Sequence, residues 1–339
     1  MRTKFLRRGM LAVCLSLCLF GTLTSGLVQA QAIPGKHKPQ HTFKVKVFII
    51  TMFADEATRW QSHENFTLVF NVPGADNPVQ CNVQRLCLTI TGVDKSNAAA
   101  SMSAILADPR FDFQNTYFIT AGTASTPPTS TFPGQEEGTL GFTAWANWIV
   151  DWDQGFHQLP GQISDPFGYI PPKTTFRDST SVYPLNPSLV SLAYHLTANL
   201  ALEDSPEAIA ERQKYTDTDQ PGKKPFVAQC DTDSGDNLWK GLFFSQLAQH
   251  IMDLLTVNQG HNCTYNQEDA ATATSLKRFG HLDHYLDLRG ASAFYNPPPG
   301  ETIEQFINRG FRTNNIALDN LYLVGSTVAH YLMSLPTSE

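Results

Sequence analysis

The chain has 339 residues and a formal net charge of −7, with 31 acidic against 24 basic side chains. Without a long basic run it lacks the clustered Lys and Arg that phosphate contacts need, which excludes nucleic acid as a partner and docking on anionic lipid. The length suits one large domain or two modest ones with a substantial core.

Residues 1–30 have the three parts of an export signal. Arg2, Lys4, Arg7 and Arg8 precede an apolar stretch from Met10 to about Leu23, and small or neutral residues end in Val28, Gln29 and Ala30. The apolar stretch falls short of the roughly 20 residues a bilayer core demands. Cleavage between Ala30 and Gln31 is therefore expected, placing the mature chain in the periplasm or outside the cell. Losing four positive charges takes the net charge to −11. Cys14 and Cys18 leave with the signal, so Cys81, Cys87, Cys230 and Cys263 remain. An even number in an exported chain points to disulfides. Of the three pairings, Cys81–Cys87 with Cys230–Cys263 is preferred because each bond closes a local loop.

A polar leader, 31–42, precedes a single domain expected over residues 43–335. Phe43 to Phe53 (FKVKVFIITMF) reads as a strand that becomes continuously apolar, as a central parallel strand covered on both faces must. A second such strand, Leu86 to Thr91, ends at Gly92. Ser96 then caps a helix running to Asp108, where Pro109 stops it. A third strand, Thr116 to Ala121, ends at Gly122. Strand, glycine turn, helix and strand make the βαβ signature of a mixed, mostly parallel sheet, and hence a three-layer αβα fold of the α/β class.

Residues 138–158 carry Trp145, Trp148 and Trp152, suggesting one or two twisted strands and core or interface packing. An irregular stretch from Pro160 to Pro187 follows. Helices are then expected after the Asn186–Pro187 cap, near Ser205–Pro206, from Asp236 to about Leu255 with Phe243, Leu247, Ile251 and Leu254 on its apolar face, and from an Asn266 cap to Gly280. His284 to Arg289 reads as a strand, and Leu321 to Leu335 as a buried strand followed by a short core helix. No later segment reads as a membrane span: 113–135 is rich in Ser and Thr with three prolines.

Open parallel sheets bind ligands outside the carboxyl ends of their strands. Candidate positions there are Met52 to Glu56, Ala121 to Ala124, Gln267 to Asp269 and Arg289 to Phe294. Read singly, Glu268 and Asp269 complement a helix dipole and Glu56 is helix charge. There is no Gly-x-Ser-x-Gly elbow and no phosphate-binding Gly-Lys-Ser loop. His281 and His284 flank Asp283 without a third ligand in view, so no metal and no cofactor are expected.

Together these segments resemble the purine nucleoside permease family, whose fold is similar to that of nucleoside phosphorylases and nucleosidases. The resemblance runs from about Phe43 to Ala329 and is carried by VFIITMFADEA (Val47 to Ala57), ITGVDKSNAAA (Ile90 to Ala100), TYFITAGTAS (Thr116 to Ser125), NQEDAATATSL (Asn266 to Leu276), ASAFYNPPPG (Ala291 to Gly300) and NLYLVG (Asn320 to Gly325). It implies that Glu268 grips the ribose hydroxyls, which suits an ionised carboxylate facing a diol. It further implies that Ala121 and Gly122 form a turn beneath the sugar, that Phe294 stacks on the purine, that Phe53 belongs to the nucleoside-binding set, and that Glu56 is similar to an acid that activates water in nucleosidases.

Two departures matter. Met52 and Phe53 stand where phosphorolytic relatives carry a phosphate loop, which favours binding or hydrolysis over phosphorolysis. The family pattern Ala-Ser-Asp-Phe reads Ala291, Ser292, Ala293, Phe294, so the aspartate that would protonate the leaving purine is missing. General acid catalysis commonly contributes about 10² to 10⁴ in rate. The leading expectation is extracytoplasmic purine-nucleoside binding in uptake, with a membrane partner doing the crossing and a second copy of the chain as a pocket neighbour. The alternatives are a purine nucleoside hydrolase or phosphorylase with Glu56 as base, and a secreted domain whose pocket has decayed.

Overall fold

A computed structural model describes residues 42–173, 180–310 and 313–336; the export signal, its cleavage site and most of the leader lie outside the described residues. The apolar run in residues 43–53 resolves into two pieces. Phe43–Lys44 pairs with Phe111–Asp112 in a small separate sheet. The central strand β1, Val47–Thr51, is buried along its whole length.

Along the chain follow helix α1 (Ala54–His63), β2 (Leu68–Phe70), β3 (Val79–Cys81), β4 (Leu86–Ile90), α2 (Lys95–Leu106), β5 (Tyr117–Thr126), β6 (Thr143–Trp145) and β7 (Trp148–Asp151). Next come β8 (Val182–Pro184), α3 (Pro187–Thr197), α4 (Pro206–Arg212), β9 (Val227–Gln229), β10 (Asp231–Ser234), α5 (Leu242–Thr256), β11 (Asn262–Asn266), α6 (Asp269–Arg278), β12 (Tyr285–Phe294), α7 (Ile303–Asn308) and α8 (Asn314–Ser334). The main sheet runs β8-β7-β10-β11-β5-β1-β4-β3-β2, with β12, β6 and β9 continuing from the other edge of β5. Parallel pairs fill its centre, β1 lying between β4 and β5, while β2 and β3 are antiparallel at the margin.

The branching at β5 positions the site. β12 follows one edge of β5 from Phe118 to Thr126. The other edge is shared: β1 takes Tyr117 to Thr120, and β11 meets the strand only at Ser125, through Tyr265. Residues 121–124 lie between the two partners, and there the sheet splits.

The sheet has helices on both faces, as adjacent residues of β12 show. Gly290 faces α8, where an added Cβ would lie 2.7 Å from Leu321 Cγ. Arg289, pointing to the opposite face as strand alternation requires, bonds Asp269 at the start of α6. The layers are therefore α8 on one side and α6 on the other, with α1 and α3 packing on α8 and α2 on α6.

Several boundaries differ from the sequence reading. β5 does not end at Gly122 but continues to Thr126. Gly122 marks a close approach rather than a turn, since a Cβ there would stand 2.0 Å from Met52 Cε and 2.5 Å from Arg289 Nη1. β12 likewise runs past Arg289 to Phe294, because it is paired on both edges, with a register shift between Ala291 and Ala293. Ser96 lies in the first turn of α2, and the cap is Asp94 at φ +75°. The helix expected from Asp236 begins at Leu242 after Gly241 (φ +107°), and Phe243 is exposed rather than part of the buried face. The strand-plus-helix expected over 321–335 is one helix, α8, which buries Leu321, Val324, Gly325, Val328 and Leu332. Gly325, inside that helix, leaves room for the Trp60 ring, whose Cζ2 would lie 3.0 Å from an added Cβ.

Asn186 caps α3, its side chain accepting from Ser188 N and Leu189 N, with Pro187 in the first turn. Asn266 holds the start of α6, its Oδ1 accepting from Glu268 N (3.0 Å) and Asp269 N (3.1 Å). Both disulfides are as paired above: Cys81–Cys87 ties the facing strands β3 and β4, and Cys230–Cys263 joins the residue before β10 to the second residue of β11. Trp145 is fully buried, its Nε1 donating to Thr197 Oγ1, and Trp152 stacks on Trp239 at 5.4 Å. Among the described residues no helix is long and apolar enough to cross a membrane.

Candidate active site

A cavity of about 420 Å³ opens where β1 and β11 part along β5. That volume lies within the range of small-molecule sites, and the position, at the carboxyl ends of the central strands, is where open α/β sheets place ligands. Its walls come from eight segments: Met52, Phe53 and Glu56 after β1, Val93 after β4, Thr123 to Ser125 on β5, Leu238 to Lys240 before α5, Tyr265 to Glu268 at the end of β11, Arg289 and Ser292 on β12, Ile307 on α7 and Asn314 at the start of α8.

Glu56 is 3% exposed. One carboxylate oxygen accepts from Met52 N (2.8 Å), the other from Thr123 N (2.7 Å) and Thr123 Oγ1 (3.2 Å). Burial raises its pKa to about 7, against the lowering pull of Arg289 and of the two backbone donors, while Glu268 adds to the rise. A carboxyl titrating near neutrality is matched to general acid or base work.

Arg289 organises the floor. Its Nη1 donates to Thr123 O (2.9 Å), Nη2 to Glu268 (3.2 Å), and Nε and Nη2 together clasp Asp269, the Nε bond being 2.8 Å. Burial opposes its charge, but Asp269 and Glu268 outweigh that and hold it protonated. Thr123 thus bridges the two halves, its N–H to Glu56 and its carbonyl to Arg289. Glu268, 4% exposed, accepts from Asp94 N as well (3.3 Å); burial raises its pKa and Arg289 restrains the rise. Behind them Asp287 is fully buried, and burial first and Asp269 second push its carboxyl far above the usual range.

The cavity floor therefore holds the Arg289 guanidinium, with four of its five donors engaged, beside Asp269, Glu268 and Glu56, while Lys240 stands in the wall. Glu268 and Glu56 offer acceptors that suit hydroxyls, which donate to carboxylates.

The sequence-selected residues separate into two groups. Glu56, Glu268 and Phe53 share this cavity. Ala121 and Gly122 are buried in β5 beside it and do not line it; the space left by Gly122 is taken by Met52 and Arg289 instead of being open to a ligand. Phe294 lies elsewhere, beside a second cavity of about 200 Å³, where its ring meets Tyr215 edge-on at 4.5 Å. The physical reason is the β12 register shift just before it: Ser292 faces the larger cavity, whereas Ala293 and Phe294 line only the other. His281 packs on Phe118 at 5.4 Å, and burial lowers its pKa. Among the described residues no group of three His, Cys, Asp or Glu side chains is placed to hold a metal ion.

Residues missed in the sequence are Arg289 as a charge hub, Trp239 and Lys240. Arg289 stood at a strand end already singled out. Trp239 and Lys240 sat in a stretch read as helix, where the Gly-Asp-Asn run at 235–237 was the available loop signal.

Similarity to known proteins agrees with this architecture. A family model described as purine nucleoside permease matches residues 44–335. A probable purine nucleoside permease of Schizosaccharomyces pombe is 30% identical over 337 residues, covering 91% of this chain and 94% of that protein. A purine nucleoside permease of Candida albicans is 30% identical over 328 residues, 89% of this chain and 77% of that protein. Among solved structures, a 5′-methylthioadenosine/S-adenosylhomocysteine nucleosidase of S. pneumoniae superposes with TM-score 0.52 at 16% identity, over 86% of this chain and all of the other. That likeness is one of fold, the nucleoside phosphorylase-like fold. With the family match spanning most of its length, the chain belongs to the purine nucleoside permease family.

Proposed function

We propose that the cavity at the split in the sheet binds a purine nucleoside, and that the protein captures such ligands outside the cytoplasm as a step in their uptake. The observation that carries the reading is the pair Glu56 and Glu268, two buried carboxyls in one cavity, tied together through Arg289 and the Thr123 backbone. Glu268 takes the ribose hydroxyls, and Phe53 with Trp239 supplies apolar wall for the base. The names of the relatives fit a nucleoside ligand. The proposal of export rests on residues 1–30 of the sequence, and a membrane partner would do the crossing.

One observation favours a hydrolytic reading of the same site. Glu56, with its pKa raised to about 7 and both oxygens held by backbone donors, is poised to take a proton from water. Phosphorolysis is the poorer reading, since Arg289 has four of its five donors committed to Thr123, Glu268 and Asp269.

The test incubates the purified mature protein with inosine and with adenosine, measuring melting temperature and released base. Ligand at 100 times its dissociation constant stabilises the fold by about 2.7 kcal/mol. A melting shift without base supports capture, and base above the uncatalysed background supports hydrolysis. Neither response with any nucleoside would leave the decayed-pocket reading. Glu268→Ala is expected to abolish the shift; an unaffected variant would refute its role. Export is tested by mass spectrometry of the mature protein, which should begin at Gln31.

A further inference from the structure

Lys95, in the first turn of α2, draws together loops at the carboxyl ends of the sheet, beside the cavity. Its Nζ meets Asp151 Oδ1 (2.9 Å) and Asp153 Oδ2 (2.7 Å), at and just past the end of β7. Its N–H donates to Asp236 Oδ1 (2.7 Å) in the loop after β10, and Asp236 N in turn donates to Asp153 Oδ2 (2.8 Å). Gln267, after β11, completes the ring, its Nε2 donating to Asp94 Oδ1 (2.7 Å) and to the Asp236 carbonyl (2.9 Å). The Lys95 side chain is 17% exposed and that of Asp151 7%, so the tie is not a freely solvated surface pair. Burial opposes the Lys95 charge, but Asp151 and Asp153 outweigh it and raise the pKa above its ordinary value.

Asp94, the residue before, has a costly backbone. At φ +75° and ψ 157° it stands in a region that glycine alone enters without strain. Its side chain makes no cap bond to α2, the usual reason for an aspartate at that place. Such a conformation persists only where the surroundings over-determine it. Here Gln267 grips the Asp94 carboxylate, and Lys95 ties the next residue to two other loops. What the conformation achieves is a contact across the sheet. Asp94 N donates to Glu268 Oε1 (3.3 Å), although β1 and β5 run between β4 and β11, the strands that lead to them. Glu268 Oε2 meets Arg289 Nη2 (3.2 Å). Each carboxylate oxygen thus spends one acceptor position on the protein and keeps one for a ligand, in an orientation fixed at both ends.

We propose that Asp94 and Lys95 are positioning residues of the cavity: Lys95 braces the strained Asp94 amide, and that amide fixes the Glu268 carboxylate for a ligand presenting two neighbouring hydroxyls. The inference rests on the nucleoside reading above and adds to it the device that sets Glu268. Neither residue lines the cavity, whereas their neighbours Val93 and Gln267 do. A carboxylate held by Arg289 at one oxygen alone is free to swing and satisfy itself on a single hydroxyl. Held at both, it is left with an unpaired acceptor when one hydroxyl is missing. A buried acceptor without its partner is penalised, and a site built to bond a hydroxyl rejects the analogue that lacks it. The brace therefore converts rigidity into preference for a ribonucleoside over its 2′-deoxy counterpart.

The test compares inosine with 2′-deoxyinosine on the purified mature wild type, Asp94→Gly, Lys95→Met and Lys95→Arg. Affinity is read by calorimetry, or KM and kcat where base is released, with the melting temperature alongside. The wild type should prefer inosine about tenfold or more, the worth of one hydrogen bond to a charged group. The preference should fall severalfold in Asp94→Gly and Lys95→Met and survive in Lys95→Arg, which keeps the charge. Asp94→Gly should lose it without a lower melting temperature, since glycine relieves the strain, a separation that a merely structural tie would not give. Should Lys95→Met fail to fold, Asp94→Gly carries the test. A preference that persists in Asp94→Gly and Lys95→Met overturns the positioning role while leaving the hydroxyl contacts of Glu268 standing; so does a fall that comes only with a lower melting temperature. Equal handling of the two ligands by the wild type overturns the inference but not nucleoside binding. Absence of binding to either ligand overturns the nucleoside reading and this inference with it.

Discussion

Replacing Arg289 by Met keeps the length of the side chain and removes the cation bonded to the carboxylates of the cavity floor. Arg289 is 1% exposed and bonded to Asp269, Glu268 and the Thr123 carbonyl, with Asp287 at 3.9 Å. Breaking a buried ion pair from one side costs about 3–5 kcal/mol, because the stranded charge is left in low dielectric. For a chain of this size that lowers the melting temperature by on the order of 10 °C or somewhat less. The loss should depend on pH in a definite direction. Arg289 restrains the raised pKa values of Glu56 and Glu268, so without it both rise further above their unfolded values. The folded variant then binds more protons than its unfolded chain, and its stability falls as pH rises through the folded values. The penalty should therefore be larger at pH 8 than at pH 5. Chemical denaturation of both proteins at the two pH values measures it. A loss below about 1 kcal/mol at pH 8, or one that does not change with pH, would refute the charge balance assigned to this floor.

Three further outcomes follow from the same structure. Glu56→Gln removes a carboxyl whose folded pKa, about 7, lies above its ordinary 4.5. Between those values the wild type loses stability with rising pH and the variant does not, so the difference should move in the variant's favour by on the order of 3 kcal/mol from pH 4 to pH 8; a flat difference in urea titrations would place the pKa wrongly. The disulfides should differ in worth by loop length: Cys230–Cys263 spans 33 residues and Cys81–Cys87 spans 6. Chain entropy gives about 4 and about 2 kcal/mol, and paired Cys→Ser variants giving the reverse order would show that loop closure is not the governing effect. Gly290→Ala sets a Cβ 2.7 Å from Leu321 Cγ and 3.2 Å from the Ala317 carbonyl. Overpacking of this kind costs about 1–3 kcal/mol, and an unchanged melting temperature would mean that α8 lifts freely from β12.

Local chemistry made much of this protein legible from sequence. The apolar run Val47–Ile50 announced a strand covered on both faces, Asn186–Pro187 and Asn266 announced helix starts, and four cysteines left local loops to close. Glu56 and Glu268 were visible because strand ends and helix starts are where an α/β sheet holds ligands, and they share one cavity. What sequence could not give was the branching of β5, since which strands share an edge depends on contacts between distant segments. That branching opens the cavity, carries β5 past Gly122 and sets the β12 register shift that leaves Ser292 in the cavity and Phe294 out of it. The same non-local packing made α8 one helix, because burial of Leu321, Val324 and Val328 outweighs their strand-like look. It also buried Lys240 against Ser125 and Arg289 among four carboxyls. Side-chain type and periodicity are properties of a few neighbouring residues; charge balance and pKa belong to the whole folded surround, and only the tertiary structure decides them.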